Sequence, residues 1–142
     1  MNEKRDAHQW VRSACFQAFV GIALWMTFGL LLEGLLGYKT PAYLQDNTRR
    51  ELFRLAHAHG TLLSLLLLVS ALTCDRFDLT VTRPAHSSLR IGVTVLPFGF
   101  LIAGIWHYES DPGLAIWLVP VSAVMIIFGL VAIAVSFRQS GK

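Results

Sequence analysis

The stretch that decides the fold reads Leu55-Ala56-His57-Ala58-His59-Gly60-Thr61 and continues as Leu62-Leu63-Ser64-Leu65-Leu66-Leu67-Leu68-Val69. It places two histidines at the start of a long apolar run. About 20 apolar residues in a helix are enough to cross the ~30 Å hydrocarbon layer of a membrane. Ionisable side chains are costly inside such a span, and by default they indicate a function. The stretch therefore predicts a membrane helix with a candidate site near one of its ends.

Three further apolar segments accompany this one, and together they explain an unusual composition. The chain of 142 residues is 54% hydrophobic and only 15% charged, whereas soluble domains are about 25% charged. The predicted spans cover about 13–36, 49–73, 89–107 and 112–137. The sequence thus predicts a single all-α domain over 1–142, an integral membrane four-helix bundle with up-down-up-down topology, whose first partner is the lipid bilayer. No basic cluster interleaved with aromatic residues indicates nucleic-acid binding.

Local signals suggest where the helices begin and bend. Thr48 and Glu51 fit a capping box at the start of the second helix. Asp111 followed by Pro112 fits the start of the fourth helix. Two prolines within the predicted spans, Pro97 and Pro120, are expected to kink the third and fourth helices.

Lysine and arginine counts predict the orientation. Eight lie on the side of the two termini and four on the opposite side. The eight are Lys4, Arg5, Arg12, Arg76, Arg83, Arg90, Arg138 and Lys142, and the four are Lys39, Arg49, Arg50 and Arg54. Because cytoplasmic loops carry the excess of positive residues, both termini are expected in the cytoplasm, with the plasma (inner) membrane as the location.

Four ionisable side chains are predicted to gather at the outer end of the bundle. They are Glu33, His57, His59 and His107, since alternating spans bring the end of the first helix, the start of the second and the end of the third to one side. The inner half is expected to hold no charged or histidine side chain. Glu109 lies just beyond the third helix and is expected to be solvated.

The two histidines of the second helix cannot both point inward. Residues two apart on a helix differ by about 200° in direction. His57 shares its face with Gly60 and Ser64, small residues that let helices approach closely in lipid. We therefore expect His57 to face the bundle, and His59 to meet another helix, another subunit or a lipid headgroup. Glu33 is expected to pair with a histidine or with Arg54.

These residues suit two kinds of cofactor. His57 and His107, on different helices, are what a bis-histidine haem b requires, and the small residues Ala103 and Gly104 beside His107 leave room for a flat macrocycle or for a neighbouring helix. With Glu33 and His59, the same histidines also suit a zinc or copper ion.

Three classes of function follow from the sequence. The first is a haem- or metal-binding membrane protein for electron transfer or metal handling. The second is an accessory or structural subunit of a larger membrane complex, with no cofactor of its own, which would associate with other membrane subunits or with copies of itself. The third is a membrane enzyme that uses histidine as acid and base; its catalytic residues are not identified by the sequence.

Overall fold

A computed structural model describes residues 2–108 and 111–140, and the side chains of residues 9–108 and 111–139. It confirms the all-α prediction, with four helices long and apolar enough to cross a membrane. The helices are α1 (Asn2–Gly37), α2 (Pro41–Leu44), α3 (Asn47–Arg76), α4 (Arg83–Ile105) and α5 (Leu118–Ser140), with a 3₁₀ turn over Leu114–Trp117 before α5. The short helix α2 lies in the connection between α1 and α3.

The long helices pack in chain order, α1 on α3, α3 on α4 and α4 on α5. The central helices are consequently the more buried ones. Half of the apolar window of α4 is buried, against 17% for α1 and 22% for α5. The two outer helices therefore keep broad apolar faces for lipid or for another protein, and the core lies between α3 and its neighbours.

Small residues bring α1 and α3 into close contact. A Cβ added at Gly21 would overlap the hydroxyl of Ser64, and one added at Gly60 would overlap the indole of Trp25. Small residues at a helix contact are how helices associate in lipid, where no hydrophobic force drives them together. This confirms the prediction that the Gly60 and Ser64 face of α3 meets a neighbouring helix.

The start of α3 differs from the predicted capping box. The helix begins at Asn47, and the carboxylate of Asp46 accepts a hydrogen bond from the Arg49 backbone N–H at 2.9 Å. Glu51 forms an ion pair with Arg54 at 3.3 Å instead of capping the helix. Asp46 takes the role because it directly precedes the helix and its short carboxylate reaches the third helical residue.

Helix α4 begins at Arg83, six residues before the predicted start of the third span. The reason is Pro84, whose fixed φ suits the first turn of a helix. The earlier start places His86 and Arg90 inside the helix, Arg90 about 10 Å along it from Arg83. The prediction of an inner half without charged or histidine side chains is therefore wrong. At its other end α4 continues through Pro97 and stops at Ile105.

The last helix, in contrast, begins later than predicted. Gly113, not Asp111, precedes the 3₁₀ turn, and α5 starts at Leu118. The Asp111 carboxylate instead accepts a hydrogen bond from the Gly113 backbone N–H at 2.8 Å. Pro120 lies in the first turn of α5, where backbone N–H groups have no acceptor within the helix, and the predicted kink at Pro120 stays a prediction.

The bundle has two ends, which we call the loop end and the terminal end. The loop end comprises residues 38–50 and 105–117. The terminal end comprises the α3–α4 connection, residues 77–82, with the first turns of α1 after residue 8 and the last turns of α5.

Candidate functional site

His57 is held against α1 by a hydrogen bond and by a glycine. Its Nδ1 lies 2.7 Å from the Trp25 carbonyl oxygen. Because a carbonyl only accepts, Nδ1 carries the proton and donates it. The ring rests on Gly29, where an added Cβ would overlap Cε1 and come within 2.8 Å of Nε2. The edge of the imidazole that holds both nitrogens is thus packed against α1.

His59 points toward α4, as its two-residue offset from His57 requires. Its ring centroid lies 5.2 Å from that of Phe100, and the residue is half-buried. Nδ1 donates to the Leu55 carbonyl oxygen, one turn earlier in α3, at 2.9 Å. This bond satisfies one ring nitrogen within the helix and leaves the lone pair on Nε2.

His107 follows the end of α4 and bonds to the residue that caps α3. Its Nε2 lies 2.9 Å and 3.0 Å from the two carboxylate oxygens of Asp46. The side chain is 6% exposed, and its buried Nδ1 has no hydrogen-bond partner among the described residues. Because the carboxylate accepts, Nε2 carries a proton. Asp46 therefore orients the imidazole as well as capping the helix.

Arg49 completes this contact, which we call the loop-end clamp (Asp46, Arg49 and His107). Its Nε donates to the Gly104 carbonyl oxygen at 3.2 Å, at the end of α4. Its Nη2 lies 3.7 Å from the Asp46 carboxylate. A cation at the last carbonyls of a helix is favourable because those groups have no partner within the helix. The clamp thus fastens the start of α3 to the end of α4.

Asp46 and Arg49 were not predicted as members of the site, although the sequence held one signal for Asp46. Aspartate is among the preferred residues directly before a helix. The hydrogen bond to His107 spans 61 positions, and no local pattern indicates a contact at that separation.

The small residues beside His107 make room for a neighbouring helix. A Cβ added at Gly104 would meet the Phe53 ring at 2.6 Å and Leu52 at 3.3 Å, and Ala103 is fully buried. Side chains of α3 therefore occupy the space in which a macrocycle would lie. Of the two alternatives left open for Ala103 and Gly104, the structure favours helix packing.

Glu33 is exposed, and it forms no hydrogen bond or ion pair with the part of the chain that the structure describes. Arg54 pairs with Glu51 instead, so the predicted pairing of Glu33 with a histidine or with Arg54 is wrong. Burial raises the pKa of the Tyr43 phenol above its ordinary value of 10.0. The positive charges of Arg54 and Arg50 oppose this shift, and the negative charges of Glu33 and Glu51 add to it. Glu33 thus lies in the electrostatic neighbourhood of Tyr43, at the loop end.

The four predicted site residues do not form one group. His107 bonds to Asp46, and His57 lies eleven residues further along α3 than Asp46, or about 16 Å at 1.5 Å per residue. Among the side chains of residues 9–108 and 111–139, no three of histidine, cysteine, aspartate or glutamate are placed to hold a metal ion. Binding of haem b, zinc or copper by these residues stays a prediction. Glu109 lies outside the described residues.

Comparison of the chain with protein-family models, with curated proteins and with solved structures finds no match. The fold and the site therefore define its class: an all-α protein with four helices of membrane-spanning length, in which His57, His59 and His107 bond to oxygen atoms of the protein itself.

Proposed function

We propose that this protein is an accessory or structural subunit of a larger membrane complex. The observation that carries the proposal is the set of hydrogen bonds made by three histidines, His57, His59 and His107. His57 donates to Trp25, His59 to Leu55 and His107 to Asp46. Polar side chains inside a membrane are expensive unless they find partners. The bonds of His57 and His107 fasten one segment of the chain to another, and the bond of His59 pairs its ring nitrogen within α3. This use of the three side chains supports a structural role for them.

The surfaces available to a partner are the outer helices. α1 and α5 are the least buried spans, and most of their exposed residues are large and apolar, among them Leu24 (48% exposed) on α1 and Val124 (67%) on α5. In a complex, one of these faces would contact transmembrane helices of another subunit or of a second copy of this chain.

The test is site-specific photocrosslinking in the native host. A photoreactive amino acid placed at Leu24 or at Val124 is expected to give a discrete protein adduct from one of the two positions, because a subunit presents one face to its partner. Position 65 on α3, an exposed leucine (44%) on a central helix, is the matched control. Mass spectrometry of the adduct identifies the partner.

Lipid adducts alone at all three positions would contradict the proposal. So would a cofactor in the purified protein, which is the second candidate function. It rests on His59, whose Nε2 keeps its lone pair on a half-buried ring beside Phe100. A Soret band or a stoichiometric metal that is lost in His59→Ala and kept in His57→Ala would replace the subunit proposal with haem or metal binding.

The proposed orientation places both termini in the cytoplasm of a bacterial-type inner membrane. Moving Arg90 into α4 lowers the count at the terminal side from eight to seven, still more than the four at the loop side. After Cys15 and Cys74 are replaced, Ala42→Cys should react with an impermeant thiol reagent in intact cells. Thr80→Cys should react only after lysis, and the opposite pattern would reverse the orientation.

A further inference from the structure

Polar side chains line the contact between α1 and α4 at the terminal end, in the half of the bundle that the sequence predicts to be apolar. We call them the polar seam: Trp10, Gln17, His86, Arg90 and Thr94. The two helices are not packed side by side along their length, since α3 lies between them. The seam is therefore where side chains connect two helices that otherwise make little contact.

The seam is centred on Arg90. Its Nε donates to the Gln17 side-chain oxygen at 2.7 Å, and the Gln17 amide in turn donates to the Arg90 carbonyl oxygen at 3.0 Å and to the Thr94 hydroxyl at 2.8 Å. These bonds fix the direction of the guanidinium group. They use one of its five N–H donors and leave the two terminal nitrogens for another acceptor.

No carboxylate in the described part of the chain compensates the charge of Arg90. Among the described residues, none lies within ion-pair distance of its guanidinium. The residue is half-buried and about 10 Å along α4 from the helix start. A cation at that depth is costly and normally faces an anion, a carbonyl or water, so the position calls for a negatively charged partner from outside the chain.

A second observation points the same way. Trp10 and His86 stack with ring centroids 3.8 Å apart, one turn of α4 closer to the terminal end than Arg90. The Nε1 of Trp10 and the Nε2 of His86 are both buried, and neither has a hydrogen-bond partner in the described part of the chain. Buried polar groups are nearly always paired, and a ligand rich in oxygen that enters the seam would supply an acceptor for the indole N–H of Trp10, which can only donate.

We infer that the polar seam binds the phosphate headgroup of an anionic phospholipid from the leaflet at the terminal end. The lipid is favoured over a soluble phosphate by what flanks the seam. Phe16 (73% exposed) precedes Gln17, and Ile91 (49% exposed) follows Arg90, so acyl chains can lie along both helices while the phosphate meets the guanidinium. Arg12, exposed on α1, adds positive charge at the same end. Basic pockets between transmembrane helices bind lipid headgroups in this manner.

Lipid retention by the full-length protein tests the assignment. The purified protein is exposed to equal amounts of phosphatidylglycerol and phosphatidylcholine, and bound lipid is counted by native mass spectrometry. The parent should retain one phosphatidylglycerol in preference to phosphatidylcholine. Arg90→Gln should weaken that retention by at least roughly tenfold, because a charge-assisted hydrogen bond is lost. The matched control is Arg54→Gln, which removes an arginine of α3 near the loop end that is already paired with Glu51, and it should retain the lipid like the parent.

Two further experiments test the lipid assignment. If Arg90→Gln fails to fold, Gln17→Ala takes its place, since it leaves the charge but frees the guanidinium, and retention should still fall by roughly threefold. Inorganic phosphate at millimolar concentration should not displace the lipid, because it lacks the acyl chains. Equal retention by parent and Arg90→Gln, or displacement by inorganic phosphate, would overturn the lipid assignment.

Discussion

Gly60→Ala is expected to destabilise the protein by roughly 1–3 kcal/mol, the cost of overpacking a well-packed contact. The added methyl group would overlap the indole of Trp25. That ring cannot move aside cheaply, because it is 4% exposed and lies edge-on to Phe28 and Phe98 at centroid distances of 5.9 Å and 5.2 Å. The helices α1 and α3 must therefore separate. The measurement is the unfolding midpoint in detergent.

Gly34→Ala is the matched control for this prediction. It makes the same substitution in α1, where no atom lies within 4 Å of the added Cβ. Alanine is the better helix former by about 1 kcal/mol, so the control should equal or slightly exceed the parent in stability. If the two variants unfolded at the same temperature, the close contact of α1 with α3 at Gly60 would be disproved.

Asp46→Ala is expected to cost roughly 2–4 kcal/mol, because one carboxylate does two things. It caps α3, and loss of such a cap costs about 0.5–2 kcal/mol. It also accepts from His107, whose side chain is 6% exposed, and leaving a buried donor unsatisfied costs about 1–3 kcal/mol. The unfolding midpoint should fall, and proteolysis of the loop end should become faster than proteolysis of the terminal end.

Two companion variants separate these effects. Asp46→Asn keeps an oxygen for the Arg49 backbone N–H but removes the charge that faces His107, so its loss should be smaller than that of Asp46→Ala. Glu51→Ala removes a nearby carboxylate whose ion pair with Arg54 is more than half exposed on both sides, and exposed pairs contribute only about 0–1 kcal/mol. A similar loss in Glu51→Ala and Asp46→Ala would contradict the loop-end clamp.

The clamp and the polar seam secure opposite ends of the bundle. At the loop end, Asp46 and Arg49 join α3 to α4; at the terminal end, Gln17 and Arg90 join α1 to α4. Between them the contacts are mostly apolar or involve small residues, with the hydrogen bond from His57 to the Trp25 carbonyl oxygen as a polar one. Hydrogen bonds of this kind give direction and register to helices whose apolar surfaces resemble the surrounding lipid.

For His57 and His59, the local sequence pattern predicts the direction of the side chain but not the atom that it bonds. The spacing of His57 and His59 alone required them to face different ways, and the small residues near His57 indicated the packed face; the structure places His57 on α1 and His59 toward α4. The partner atoms were beyond the sequence. Nothing in the pattern distinguishes a histidine that donates to a neighbouring carbonyl, as His57 does to Trp25, from one that binds a metal.

At the terminal end, an error in the predicted start of α4 changed the functional interpretation. The predicted third span starts at Leu89, which put Arg90 at the membrane surface and His86 in a loop. The polar seam was therefore not predicted. Pro84 was the available signal, because its fixed φ favours the first turn of a helix. With α4 beginning at Arg83, both residues lie on one face of a membrane-length helix.

What the sequence by itself determined is the number and kind of elements. Four apolar runs of sufficient length must be helices in a membrane, because every backbone polar group there has to be paired within its own segment. What only the tertiary structure decided is which side of each helix meets which neighbour, and so which polar groups meet. In lipid, the faces that touch helices and the faces that touch acyl chains are both apolar, so the sequence carries little record of the difference. The contacts of His107 with Asp46 and of Arg90 with Gln17 span 61 and 73 positions, and they exist because the helices pack in the order that brings those ends together.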